Sequence, residues 1–363
     1  MSLAEPPAPQ HGPAPQHGPA PLQHRAPEWQ EPGGLPADSS RANYLTDNVL
    51  PVRPALMDRG SSERLKPGMV QALIESGNAL AMILAGRKAL VQANHLVLLD
   101  AASLAQSLAQ AGVQPEYTIY LGSPVEDEHI APGTGIVLFV LADTVAPGSP
   151  GIPKEAEWAG FRDVAAQLDA LHTSLFVEAS AIANWHSTHT HCPRCGAMTI
   201  VEAGGWVRRC PADGSEHYPR TDPAIIVTVI GPDDRLLLGG GGPVDAKNYS
   251  TLAGFVEPGE SLEQAVVREI YEEVGVRVTA CQYLGSQPWP FPASLMLGFT
   301  ALTQDVEPRP DGVEVTRARW FNRAELQDAV LRGEIVISSR LSISRSLIEH
   351  WYGGLIEDRP ADS

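Results

Sequence analysis

Glu269, Glu272 and Glu273 crowd together in the run GFVEPGESLEQAVVREIYEEVGV, residues 254–276. Gly254 and the pair Pro258-Gly259 punctuate a loop, Ser261 is suited to cap a helix, and Gly275 to stop one. A helix is predicted from about Leu262 to Val274. On it Glu269 and Glu273 are four residues apart and Glu272 is three from Glu269, so the three share a face. Leu262, Ala265, Val266 and Ile270 form the opposing apolar stripe. Carboxylates this close repel unless a cation lies between them. Oxygen-only ligands on a rigid helix suit Mg²⁺ or Mn²⁺ bridging to substrate phosphates, where such ions polarise a phosphoryl oxygen and activate water. Arg268 is placed to pair with Glu272 and hold it. Glu269, Glu272 and Glu273 are therefore the candidate catalytic residues, with Glu273 as first choice of general base.

A second segment, SQPWPFPASLM, occupies residues 286–296. Pro288, Pro290 and Pro292 alternate with Trp289 and Phe291, which excludes a regular helix or a central strand and predicts a stiff loop. Its aromatic planes suit stacking on a nucleobase or a nicotinamide ring, and Gln287 and Ser294 could bond sugars and phosphates. The same composition also suits a surface loop that packs its aromatics on the core. A third segment reads HCPRCGAMTIVEAGGWVRRCPADGSEHYPR. Cys192 and Cys195 make one CxxC knuckle and Cys210 begins a second, but Asp213 stands where the fourth thiolate belongs. A tetrahedral structural Zn²⁺ held by three Cys and one Asp is one solution. His217, His186, His189 and His191 are alternative fourth ligands, and a metal-free ribbon is a further reading. Cys281 reads as a buried apolar residue. Four cysteines, three of them in knuckles, suggest a reducing compartment rather than a disulfide framework.

The elements that must position these groups divide the chain of 363 residues into a tail and two or three domains. Residues 1–40 are rich in Pro, Gln, His and Gly, repeat APQHGP in tandem, and read as a disordered tail. Its His11, His17 and His24 are expected to be solvated. Residues 45–187 hold the apolar runs ALAMIL, HLVLLD, EYTIYL and IVLFVLA, a strand-rich pattern, followed by a helical pattern over 155–187 marked by Leu168, Leu171, Leu175, Val177, Ile182 and Trp185. The cysteine segment spans 190–220 and a catalytic domain 221–352, with strands at AIIVTVI, RLLLGG, MLGFTAL and RARWF and a last helix at about 340–352. Residues 353–363 read as a frayed tail. A net charge of −17 disfavours a broad nucleic-acid surface and requires metal and local arginines wherever a pyrophosphate binds. No apolar run approaches the roughly 18 residues of a membrane span, and no secretory signal pattern opens the chain, so a cytoplasmic protein is expected.

Gly254, Glu260, Arg268-Glu269, Glu272-Glu273 and Gly275 fill every defining position of the Nudix box, and SQPWPFPxS downstream of it resembles the specificity signature of the NADH pyrophosphatases. The resemblance covers roughly residues 155–350 and implies a Nudix α/β/α sandwich with a mixed sheet, preceded by a small zinc ribbon and a strand-rich N-terminal NADH pyrophosphatase-like domain. It implies cleavage of NADH or NAD⁺ into AMP and the nicotinamide mononucleotide, two or three Mg²⁺ or Mn²⁺ ions per site, one structural Zn²⁺ per subunit, and a homodimer that shares its substrate site. It further implies that the Ala253 carbonyl, Glu269, Glu272, Glu273 and Glu314 hold the divalent ions. Arg162, Tyr218, Phe255, Ser344 and the run Gln287, Pro288, Trp289, Pro290, Phe291, Pro292, Ala293 and Ser294 are implied to contact substrate, Phe255 by stacking on a base. Where the family often has a glutamate that touches substrate before the ribbon tryptophan, this chain has Gly205 before Trp206, so that contact is either lost or replaced by Glu202. The alternatives are removal of NAD caps from RNA 5′ ends by the same site, a broader pyrophosphatase acting on ADP-ribose, and a non-catalytic NAD-binding sensor.

Overall fold

The computed structural model describes residues 57–243 and 245–360; the expected histidine-bearing tail lies outside them. The N-terminal part contains β1 (Met57–Asp58), α1 (Met69–Glu75), β2 (Ala79–Ala85), β3 (Lys88–Gln92), β4 (His95–Leu96), β5 (Leu99–Asp100), α2 (Ala101–Gln110), β6 (Tyr117–Pro124), β7 (Gly135–Leu141) and β8 (Glu157–Gly160). These strands form one mixed sheet in the order β1-β6-β7-β2-β3-β4, with β5 on β2 and β8 on β3. Helix α1 and the Ala/Ser/Gln-rich α2 add helical content to a region whose apolar runs indicated strands. The helical pattern over 155–187 resolves into β8, a single turn α3 (Phe161–Val164) and the long α4 (Ala170–Thr188), which starts where Asp169 accepts a hydrogen bond from the His172 amide at 2.8 Å. Leu171, Leu175, Phe176, Ala179 and Ile182 of α4 pack on Met82, Leu84, Ile119 and Leu138 of the sheet.

The cysteine segment folds as a three-stranded sheet of β9 (Ile200–Glu202), β10 (Val207–Arg209) and β11 (Glu216–His217). Beyond it lie β12 (Asp222–Ile230), β13 (Leu236–Gly240), β14 (Asn248–Tyr249), β15 (Leu252–Phe255), α5 (Leu262–Val274), β16 (Val278–Trp289), β17 (Ser294–Thr303), β18 (Arg317–Phe321), α6 (Arg323–Leu331), β19 (Val336–Ile337) and α7 (Ile343–Tyr352). The main sheet runs β16-β17-β12-β13-β18, with β15 also on β12; β12 and β17 are parallel and the other pairs antiparallel. Strand periodicity divides the two faces. Ile225, Val227, Val229 and Leu237 pack with Ala265, Val266 and Ile270 of α5. Ile226 meets Ile343 and Leu347, while Leu236 and Leu238 meet Leu326 of α6 and Ile348 of α7. The sheet is thus sandwiched between helices.

Two segments depart from expectation. The proline-rich run is half strand: Ser286 to Trp289 continue β16 and pair with β17. Strand β16 is at the sheet edge, where Pro288 can lack an N–H without leaving an acceptor unpaired. The C-terminal segment is clamped up to Asp358. Arg345, 2% exposed, bonds Glu349 at 2.7 Å and Asp358 at 2.8 Å, and Ile356 is fully buried beside Trp351. A buried guanidinium needs those acceptors, so the chain after α7 is a structural strap.

Candidate active site

The Ser261 hydroxyl accepts from the Gln264 amide while the Gln264 side chain accepts from the Ser261 amide, and Gly275 closes α5 in the left-handed conformation. This fixes the helix phase, so that Ala265, Val266, Ile270 and Val274 are buried and the glutamates line the other side. Arg268 organises them. Its guanidinium bonds Glu260 through Nε at 2.6 Å and Nη2 at 2.8 Å, Glu272 at 2.9 Å, Glu269 at 2.8 Å and the Phe255 carbonyl at 2.9 Å. The Glu272 pairing agrees with the i,i+4 spacing; Glu260, across the preceding loop, is its bidentate partner and was not legible from helix spacing.

Strand β15 brings the Ala253-Gly254 backbone against the helix. A Cβ on Gly254 would lie 2.0 Å from Cδ of Glu269, so only glycine lets this carboxylate lie against the strand. Glu273 is 7% exposed and its Oε2 has no hydrogen-bond partner. Burial, then the charges of Glu269, Glu314 and Asp311, push its carboxyl up to about 8, opposed by a hydrogen bond from the Ala253 main chain. Burial likewise raises Glu269, against the pull of Arg268.

Glu314 joins from the loop before β18, which docks on the end of α5 through Arg309 N to Val274 O at 2.7 Å and Asp311 N to Glu273 O at 3.0 Å. The Asp311 carboxylate accepts from the amides of Val313, Glu314 and Val315 and fixes the turn carrying Glu314. Sequence reasoning passed over Asp311, although Asp311-Gly312 is a turn signal. The structure thus unites Ala253, Glu269, Glu272, Glu273 and Glu314. An orphaned buried carboxylate oxygen among repelling carboxylates is the donor set that hard divalent cations satisfy.

Other candidates fall into separate groups. Phe255, 55% exposed, follows Gly254 on β15, and strand alternation turns its side chain to the face opposite the one on which Gly254 meets Glu269. Trp289 and Phe291 pack on Phe161 at centroid distances of 6.3 and 5.8 Å, under the guanidinium of Arg162 at 5.5 and 5.4 Å. Asn184 of α4 donates to the carbonyls of Pro290 and Pro292, so the loop rests on the N-terminal part. Ala293 accepts from the Asp222 amide at the turn into β17, and Ser294 pairs with Asp222 and Trp289. Gln287 directs its amide inward, to Leu341 O at 2.7 Å and Ile343 N at 2.8 Å, and so positions α7. Ser344 is buried against Ser250 and Thr251. Tyr218, 61% exposed, donates to Glu216 and lines a groove of about 960 Å³ between the ribbon and the two N-terminal helices.

The ribbon's two knuckles are twins. Gly196 N bonds Cys192 O at 2.9 Å and Gly214 N bonds Cys210 O at 3.0 Å. Asp213 therefore occupies the place of a fourth cysteine, and one ligand atom from each of Cys192, Cys195, Cys210 and Asp213 lies within 4.8 Å of all the others. Ser215 donates its amide and hydroxyl to Asp213 Oδ1, leaving Oδ2 toward Cys192 Sγ at 3.8 Å. This donor set fits Zn²⁺. His186 does not serve: it is fully buried, bonded to Gly205 O and Arg208, and pushed down to about 4 by burial. His189 and His191 bond their neighbouring threonines, and His217 bonds Ser215 at 3.2 Å. Gly205 has a physical reason: a Cβ there would meet Ile119 at 2.7 Å. Glu202 is paired with Arg209.

Residues 220–339 match the NUDIX domain and residues 187–218 the NADH pyrophosphatase zinc ribbon domain. NAD-capped RNA hydrolase NudC of Mycobacterium bovis is 36% identical over 299 residues, 80% of this chain and 91% of that protein. The chain belongs to the NADH pyrophosphatase family of Nudix hydrolases. NudC of Mycobacterium tuberculosis is 35% identical over the same shares of both chains, and NAD-capped RNA hydrolase NUDT12 of Homo sapiens is 39% identical over 197 residues, 51% of this chain and 43% of its own length. The Nudix fold and the ribbon account for divalent-metal use and a zinc site. No helix among the described residues is long and apolar enough to cross a membrane.

Proposed function

We propose that this Nudix hydrolase cleaves the pyrophosphate bond of NADH or NAD⁺, releasing AMP and NMNH or NMN. The observation that carries the reading is the convergence of Glu269 and Glu273 on the Ala253-Gly254 backbone, with the charge of Glu314 acting on both and the exposed Phe255 next along the same strand. Two or three Mg²⁺ or Mn²⁺ ions, held by these carboxylates, Glu272 and the Ala253 carbonyl, would neutralise the pyrophosphate and acidify a bound water. Arg268 holds Glu269 and Glu272 in place. Glu273, with a free oxygen and a raised carboxyl, is suited to accept the proton of the attacking water. Phe255 offers a face for a base, and Arg162 brings a cation to the edge of the proline-rich loop. Zinc at Cys192, Cys195, Cys210 and Asp213 is structural.

A second reading uses the same site on NAD-capped RNA, the substrate named for the relatives. A homodimer would let Tyr218 or Arg162 complete the partner's site. The sensor reading is disfavoured because no acidic position of the box is missing. The test is product chromatography with NADH, NAD⁺, ADP-ribose and NAD-capped RNA, each with Mg²⁺ or Mn²⁺. AMP and NMNH from NADH establish the activity, the RNA rate ranks the second reading, and hydrolysis of none of them rejects both.

A further inference from the structure

His95, Asp169 and His172 converge on the N-terminal part of the molecule, and none of them belongs to the ribbon or to the glutamate cluster. His95 follows the two-residue turn that joins β3 to β4, where Ala93 and Asn94 have φ of 49° and 65°. Asp169 caps α4, and His172 lies in its first turn. Each ligand is anchored by a core neighbour: Leu96 beside His95, and Leu171 between Asp169 and His172, are buried in one cluster. The backbone from which the three side chains project is therefore held by the core, although the side chains of His95 and Asp169 are themselves more than half exposed.

Three lone-pair atoms face one another. His95 Nδ1 and His172 Nδ1 are 3.4 Å apart, His172 Nδ1 and Asp169 Oδ2 3.0 Å, and His95 Nδ1 and Asp169 Oδ2 3.7 Å. Zinc bonds of about 2.0–2.1 Å in a tetrahedron require ligand atoms about 3.3–3.4 Å apart. The three separations bracket that edge. The capping bond from the His172 amide occupies Asp169 Oδ1 and leaves Oδ2 turned to the imidazoles. A single proton on His172 Nδ1 can serve Asp169, and His95 Nδ1, on a side chain 61% exposed, then faces another ring nitrogen and is open to water or to a cation. A cation satisfies all three atoms. The positive end of the α4 dipole opposes it, and the Asp169 carboxylate, with Asp127 also acting on His172, offsets that field.

We propose that His95, Asp169 and His172 form a second zinc site, with three protein ligands and a fourth position open to water. Bound Zn²⁺ would clip the β3–β4 hairpin to the start of α4, the helix whose Asn184 holds the proline-rich loop. The test uses the full chain with its ribbon loaded. Equilibrium dialysis against a series of free Zn²⁺ concentrations, with metal counted per chain, compares wild type with His95→Asn and Asp169→Asn. The first variant exchanges an exposed polar side chain just after the turn and the second keeps a helix-capping side chain, so both should melt with wild type in EDTA; melting temperatures there report any loss of fold separately. Tail histidines, ribbon and glutamate cluster contribute equally to all three proteins. The expected result is one Zn²⁺ fewer per chain, or binding at least ten-fold weaker, in both variants. Superimposable isotherms overturn the proposal.

Discussion

Replacing Glu273 by glutamine should move activity and stability in opposite directions. The carboxylate is 7% exposed, lacks a partner on Oε2 and faces the charges of Glu269, Glu314 and Asp311. Its rise from 4.5 to about 8 sets a ceiling of roughly 5 kcal/mol against the ionised form. Water access and local rearrangement reduce this, and about 2–3 kcal/mol is expected at alkaline pH. For a carboxyl raised on folding, the native state holds the proton more tightly than the unfolded chain. Stability is therefore fully present below the unfolded value near 4.5 and is lost as pH rises through about 8. The amide introduced by E273Q would carry no charge at any pH. In EDTA at pH 8.5 the E273Q protein should melt about 5 °C above wild type, and at pH 5 the two should nearly coincide. With Mg²⁺ or Mn²⁺, wild type should gain more than the variant, because the ion removes the repulsion that the mutation had already relieved. NADH hydrolysis should fall about 10²–10⁴-fold. A variant that melts below wild type in EDTA at pH 8.5, or that keeps full turnover, would refute the assignment of Glu273 as a buried, unpaired carboxylate held for the metal and the water.

Gly254→Ala should displace Glu269 by the width of a methyl group and reduce kcat by about 10²-fold, with thermal melting little changed because the obstructing atoms belong to a side chain that can move; steady-state kinetics beside a melting curve decide it. Phe255→Ala removes a half-exposed ring and should raise KM for NADH by about ten-fold without altering the melting temperature, and an unchanged KM would remove Phe255 from the substrate site. Asp213→Ala should release the ribbon zinc to a chelator that leaves wild type loaded, whereas Asp213→Cys should retain one zinc per chain; equal retention by the alanine variant would show that another group completes the site.

The geometry of the glutamate helix could be read from the chain alone. Glu269, Glu272 and Glu273 share a face because a helix repeats every 3.6 residues, and the cap at Ser261 and stop at Gly275 are local devices that need no partner. The strands at AIIVTVI, RLLLGG, MLGFTAL and RARWF were legible for a similar reason, from runs of apolar residues between turn signals. The paired knuckles, with Asp213 in register with a cysteine, were also written in spacing alone. What depends on neighbours across space came only with packing. Packing turned Gln287 inward to α7, laid Trp289 and Phe291 on Phe161 beneath Arg162, removed His186 from the zinc alternatives by burying it, and made the residues after α7 a strap on Arg345. It brought Glu314 to the glutamate helix through the Asp311 turn, and gathered His95 to Asp169 and His172 from a separate hairpin. Backbone periodicity acts over a few residues, so it is visible in any short window of sequence. Whether a side chain meets solvent, a core or a charge from a distant part of the chain is set only when the packed elements close around it.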